Sequence, residues 1–547
     1  MERLRARRVV APDRPTAQQG DGSDLRALAK GSALSLAGTV GQGALSFALV
    51  LVITRSLGPR GAGFFFQMVA LFTIFSVIEM GADAGLVRFI SRFRVLHRRD
   101  DLGTTFKLAL YPVAAMSLAI GAATFIAAPA LARLFFSAAY VEDATLAIRI
   151  LVLFQPLAAV SDVLVGGTRG LGTVVPYVAV EALGKPFLRL VLILIVAATG
   201  MAGVGTVMAW AIPIAIGLPV VAVWNVLLLR RLDALGSVAP APVKTSPRQL
   251  ASEFWRFCIP QGFSALLLIG VRWFDVLLVG GLRSAGEAGV YAAVSRTVIF
   301  GLFAIDAIRI ALAPQISGLF AGGDRQRAES VYRFATWWLI IVSWPLYLTL
   351  CVFAPVVLGV FGSEFETGQH ALLLLALGML VGTVTGNVLV VLSMGGKSGL
   401  VLFDTAASLA TNVALNLVLI PKIGIEGAAI AWVASIAVVN LLALWQVRRY
   451  LHVDPFGRGF AIATTAAVAC FGGIELLLRW SLGPSPLTMA TSLVLAGTAY
   501  LGLLFHFRST LQLGELKRSL LTRKGVRPEA VHADEDELAG TDTRMRE

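Results

Sequence analysis

Apolar runs about 20 residues long, separated by short polar stretches, recur along most of the 547-residue chain. A hydrocarbon core about 30 Å thick needs roughly 20 residues of helix, so each run is long enough to cross it. Fourteen such runs lie near 32–54, 62–81, 105–127, 145–167, 173–198, 203–229, 254–281, 287–318, 334–359, 370–394, 399–420, 426–447, 459–479 and 486–507. They are apolar all round, whereas barrel strands alternate, so the pattern predicts membrane-spanning helices. Several connections are only a few residues long, which favours antiparallel neighbours. The first run follows a polar, Arg-rich leader and exceeds the length of a secretory h-region. It is expected to be a retained first helix.

Composition agrees. Residues of the AVILMFWYC class make up 57% of the chain and charged residues 14%, against about 25% charged in soluble domains. A water-soluble enzyme, a disordered hub and a disulfide scaffold are excluded. Cys258, Cys351 and Cys470 have no CxxC spacing, and the five histidines form no HExxH pair, so neither a disulfide framework nor a metal site is visible. A GxxxxGK[ST] motif is missing as well, which excludes an ATP-driven exporter in one chain. No catalytic residue and no cofactor is expected.

The net charge of +13 fits either nucleic-acid binding or the cytoplasmic loops of a membrane protein, and charge placement separates the two. With both termini inside, and residues within three of a run's end counted with the adjoining loop, 34 of the 46 Lys and Arg fall in cytoplasmic segments. Six lie in outer loops, at Arg55, Arg60, Arg133, Arg283, Lys422 and Arg479, and six lie within runs. That asymmetry predicts a multi-pass protein of the cytoplasmic (inner) membrane with both termini cytoplasmic and no nucleic-acid partner. Residues 1–28 and 509–547 read as solvated tails; the second contains Asp534-Glu535-Asp536-Glu537.

The chain also repeats itself. Leu57-Gly58-Pro59-Arg60-Gly61-Ala62-Gly63-Phe64-Phe65 is echoed by Leu282-Arg283-Ser284-Ala285-Gly286-Glu287-Ala288-Gly289-Val290-Tyr291. Leu190-Val191-Leu192-Ile193 reappears as Leu417-Val418-Leu419-Ile420, each followed by a small-residue stretch ending in Trp210 or Trp432. The offsets of 222–227 residues contain six runs, an even number, so the repeat is parallel and its halves enclose a cavity. The expected architecture is all-α, with fourteen transmembrane helices. A six-helix lobe at 29–231 joins a second at 251–450 through a cytoplasmic linker at 232–250, and two extra helices follow at 451–508.

Three stretches carry a family resemblance. Gly81-Ala82-Asp83-Ala84-Gly85-Leu86-Val87-Arg88-Phe89-Ile90, Gly167-Thr168-Arg169-Gly170-Leu171-Gly172 and Asn412 to Trp432 resemble the multidrug/oligosaccharidyl-lipid/polysaccharide exporter superfamily. Fourteen runs favour its polysaccharide-type branch over the twelve-span drug extruders. The resemblance implies two lobes that alternate between V-shaped states. It implies a flippase moving a polyprenyl-pyrophosphate-linked glycan from inner to outer leaflet for surface polysaccharide biosynthesis, among membrane lipids and with a glycan polymerase or glycosyltransferases as partners. A drug or cation antiporter, or a peptidoglycan lipid-precursor flippase, is the alternative.

A sugar–pyrophosphate head loses hydration in hydrocarbon at large cost, so it needs a cationic cavity, and Arg forks suit a pyrophosphate. Charges inside spans are functional candidates by default. Arg272 and Asp275, and Asp306 and Arg309, share helix faces at i,i+3, and Arg296 lies on the eighth run. Arg272 and Arg296 are expected in the outer half of the membrane, where they converge on one anion; the plainer reading makes the i,i+3 pairs internally neutralised. Glu181, Lys185 and Arg189 form a stripe interrupted by Pro186, facing either the cavity or a neighbouring span. Asn412 and Asn416 share a face suited to interhelical hydrogen bonds or substrate. Arg88 and Arg92 belong to a basic stretch that anchors the protein or captures an anionic headgroup.

Overall fold

The computed structural model describes residues 21–511, apart from 77–78, 97, 201–202, 235–245, 300, 302–311, 313–314 and 321. Asp306, Arg309, residues 1–20 and 512–547 of the outer tails and the middle of the linker therefore lie outside the described residues, while residues 21–28 of the first tail are helical. Every regular element among the described residues is helical.

The first two runs are joined in one element, α1 (Asp21–Ser76), which bends at Gly58 with φ 61° and ψ −176°, just before Pro59. A side chain at that φ is strained, and Pro59 cannot donate to the preceding turn. The bend is a reversal. Gln42 and Glu79 line one pocket, whereas a straight helix would hold them about 55 Å apart. The second run breaks again at Met80 and Gly81, both at positive φ, before α2 (Ala82–Val95). Helix α3 (Arg99–Phe135), α4 (Val141–Gly170), a π-helical stretch at Tyr177–Gly184 continued by α5 (Lys185–Thr199), and α6 (Val204–Ala234) complete the first lobe.

The second lobe holds α7 (Pro247–Leu282), α8 (Ala285–Ile299), α9 (Arg325–Val352), α10 (Ala354–Gly359), α11 (Gln369–Val384), α12 (Val388–Met394), α13 (Ser398–Ile423) and α14 (Ile425–Gln446). Helices α15 (Arg458–Ala467), α16 (Glu475–Leu482) and α17 (Pro486–His506) form the last two spans. These pack on α9. Gly459 abuts Trp337, Thr349 Oγ1 donates to the buried Glu475 carboxylate at 2.9 Å, and Tyr500 donates to Ile341 O at 3.2 Å. Twelve helices are long and apolar enough to cross a membrane among the described residues. One of them holds both first runs, and the eighth run is described as a regular helix only over α8.

Turns alternate between two ends of the bundle: a Gly58 face, which also carries Arg283, Gly424 and Gly483, and a Gly172 face, which also carries Gly323 and Gly396. The first two family-like stretches meet at the Gly172 face. A methyl on Gly166 would lie 2.6 Å from Asp83 O, and one on Gly170 2.8 Å from Leu86 O, so α2 and α4 touch backbone to backbone. Arg94 Nη1 donates to Leu171 O at 2.5 Å, closing the end of α4.

The repeat explains where the lobes meet. Gly63 and Gly289, one from each copy of the first echo, face each other across the Gly58 face. A methyl on Gly63 would overlap the Ala285 carbonyl and sit 2.9 Å from Gly289 N; one on Gly289 would overlap the Pro59 carbonyl and sit 2.8 Å from Gly63 N. Arg55 adds a bond from Nε to Val360 O at 2.7 Å. The lobes also touch nearer the Gly172 face, where a methyl on Gly262 of α7 would lie 2.5 Å from Met80 Cα. Both ends of the space between the lobes carry contacts in this conformation.

Candidate functional site

The described residues place a polar cavity of about 290 Å³ inside the first lobe. Four carboxylates (Glu79, Asp83, Asp162, Glu181) and three cations (Arg169, Lys185, Arg189) line it, which leaves one formal negative charge. The break at Met80–Gly81 sets Glu79 and Asp83 on its wall. Irregular backbone at membrane depth is tolerated where it lines such a cavity. On the opposite wall, Pro186 removes a helical donor, and the wider π turn ahead of it absorbs the mismatch.

Lys185 is the hub. Its Nζ donates to Glu181 Oε1 at 2.5 Å and to Ser161 Oγ at 3.2 Å, and Ser161 donates to the same carboxylate at 3.2 Å. Arg169 bridges to Asp83 Oδ2 at 3.3 Å and lies over the Tyr177 ring. Arg189 donates to Trp210 O at 3.0 Å and stacks on that indole at 4.1 Å. The span-5 stripe thus divides: Glu181 and Lys185 pair within the cavity, while Arg189 also ties it to α6. Glu79 Oε2 is buried without a partner among the described residues. Only 6% of the Lys185 side chain is exposed, so Lys185→Met should leave the half-buried Glu181 carboxylate without its cation. Thermal unfolding in detergent should report a loss of about 3–5 kcal/mol, largely recovered when Glu181→Gln is added.

In the second lobe, the i,i+3 pairing of Arg272 with Asp275 does not form. Asp275 is buried, and it accepts instead from Tyr291 at 2.9 Å and from Asn416 Nδ2 at 2.6 Å. Asn416 also donates to Asn412 Oδ1 at 3.0 Å within α13, so Asn416 is the residue that ties α13 to Asp275 of α7. Arg272 is exposed on α7 and makes no ion pair among the described residues. Arg296 lies over the Trp273 ring at 3.6 Å, with Nε and Nη2 lacking partners among the described residues.

Helical arithmetic gives both arginines a direction. Arg272 lies 18 residues, five turns, from Phe254, which packs on Phe89 of the first lobe. Arg296 lies two turns beyond Gly289, on the same face. Both therefore sit on faces turned toward the first lobe, about 10–14 Å below the contacts at Gly289 and Gly281. Arg88 stacks on Phe257 at 4.4 Å, and Arg92 lies 3.8 Å from Glu253, so both join α2 to α7 near the Gly172 face.

The MatE family profile matches residues 260–418. The inward-closed lipid II flippase MurJ superposes with a TM-score of 0.64, covering 87% of this chain and 98% of that one at 12% identity. An inward-facing multidrug-resistance MATE transporter gives 0.60 over 75% and 94% of the two chains, at 17% identity. The chain has the multidrug/oligosaccharidyl-lipid/polysaccharide exporter fold. Residues 260–418 match the MatE family, and the chain shares the helical fold of these transporters. Among curated relatives, a probable low-salt glycan biosynthesis flippase of Haloferax volcanii, Agl15, is 27% identical over 182 residues, 33% of this chain and 39% of that protein. The uncharacterized membrane protein YabM of Bacillus subtilis is 25% identical over 238 residues, 42% and 44% of the two chains. The chain thus spans less than half the length of either relative.

Sequence reasoning missed Glu79, Asp83, Asp162 and Arg169. Glu79 and Asp162 stand as acids inside otherwise apolar runs, and that signal was available.

Proposed function

We propose that the chain moves a polyprenyl-pyrophosphate-linked oligosaccharide from the inner to the outer leaflet of the cytoplasmic membrane, for surface polysaccharide biosynthesis. The lobes at 29–231 and 251–450 would rock about their seam with both termini cytoplasmic. Glycosyltransferases would supply the cargo, and a polymerase would consume it.

The observation that carries this reading is the pair Arg272 and Arg296. Two guanidiniums at similar depth face the opposite lobe without an ion-paired acid among the described residues, and together they suit a pyrophosphate. The likeness to a glycan-biosynthesis flippase supports the cargo class. A second reading, a drug or cation antiporter, draws on the acid-rich cavity of the first lobe.

Full-length protein in liposomes carrying a fluorescent polyprenyl-pyrophosphate saccharide tests the assignment. Protein-dependent exposure of the label to an impermeant quencher is expected. Transport of a cationic dye with the glycan lipid left in place would favour the antiporter. Lethality of a deletion, with build-up of wall precursor, would move the cargo to peptidoglycan.

A further inference from the structure

Arg149 belongs to neither charged site. It sits on α4, eight residues and about 12 Å from the Val141 end. Its guanidinium lies 5.1 Å from the Phe125 ring of α3, and its Nε is buried without a partner among the described residues. Neither Glu142 nor Asp143, at the start of α4, bonds to it. A bare guanidinium inside a span is costly unless it reaches an anion.

One turn deeper, α3 and α4 part to leave an apolar groove of about 470 Å³, open to the outside of the lobe. Phe125, Ile126 and Leu153 line it and are exposed at 42%, 78% and 67%. Gly121 forms part of its wall, where a methyl would meet nothing closer than Val152 Cγ1 at 3.4 Å. The groove lies between two helices of one lobe, away from the seam where α1 and α2 meet α7 and α8.

We infer that this surface binds an anionic glycerophospholipid from the leaflet on the Gly58 side. One acyl chain lies along the groove, and the phosphate is held by Arg149. The charge complementarity names the occupant. In a lipid surrounding, the phosphate is the available anion, and a side chain of this length reaches it from within the span. Position separates this lipid from the transported one, whose path would run between the lobes.

Native mass spectrometry of the purified full-length protein, titrated with phosphatidylglycerol and phosphatidylcholine, tests the site. The wild type should retain phosphatidylglycerol preferentially. Arg149→Gln should weaken that binding about tenfold and remove the preference, while Arg149→Lys keeps part of it. Gly121→Leu fills the groove and should weaken both lipids while leaving the guanidinium intact. An unchanged phosphatidylglycerol preference in Arg149→Gln at normal abundance and melting temperature overturns the inference. So does a wild type that binds the two lipids equally. Displacement of phosphatidylglycerol by polyprenyl phosphate in the wild type, but not in Arg149→Gln, would assign the groove to the transported lipid and equally overturn it.

Discussion

Replacing Gly289 with valine should hold the Gly58 face apart and slow transport at least about fivefold. A side chain there overlaps the Pro59 carbonyl, and the facing position, Gly63, overlaps that of Ala285. Backbone cannot rotate aside as a side-chain tip can, so closing the face becomes costlier while the open state is untouched. Overpacking typically costs about 1–3 kcal/mol, and each 1.4 kcal/mol is tenfold. The closed population should therefore fall roughly five- to 150-fold relative to the open one.

A disulfide reports that shift without transport. A Cβ at Gly286 would lie 3.7 Å from Arg60 Cγ, close to the geometry a disulfide needs. The double variant Arg60→Cys/Gly286→Cys should cross-link readily, and adding Gly289→Val should suppress the bond. Background is low, because Cys258 and Cys470 are buried and Cys351 is half-buried. Equal cross-linking with and without valine would mean that this contact does not govern closure. Gly262→Val, set against Met80 near the other face, should leave that cross-link intact.

The helical class, the runs and the echo between Leu57–Phe65 and Leu282–Tyr291 could all be read from the chain, because lipid imposes length and hydropathy locally. What the echo is for could not. That Gly63 and Gly289 meet depends on packing between segments 226 residues apart, and a glycine chosen for close approach looks like one chosen for a turn. Asp275 shows the same limit. Its i,i+3 spacing put it on the face of Arg272, but Tyr291 and Asn416, from two other helices, reach it with good hydrogen bonds. Spacing places residues on a face; it does not choose among partners across an interface. The acids of the first lobe are a different case. Glu79 and Asp162 stand out in their runs as charges inside a span, but an anionic cargo calls for cations and gives acids no role.

Substituting glutamine at both Arg272 and Arg296 should reduce translocation of the glycan lipid at least tenfold, with abundance and melting temperature near normal. The two effects are separable because neither arginine forms an ion pair in the described structure. Removing them breaks no ion pair among the described residues, and Asp275 keeps its hydrogen bonds from Tyr291 and Asn416. A charge-assisted hydrogen bond is worth about 1.5–3 kcal/mol, so losing even one reaches the tenfold mark. Lysine at either position should recover part of the activity, since it keeps the charge and loses the fork. Arg296 should be the less forgiving of the two, because its stack on Trp273 orients the guanidinium and an ammonium cannot copy that planar contact. Wild-type transport by the double glutamine variant would move the anion site elsewhere, with Lys185 and Arg189 the next cations to remove. Loss of the variant from the membrane would show instead that these arginines hold α7 and α8 together.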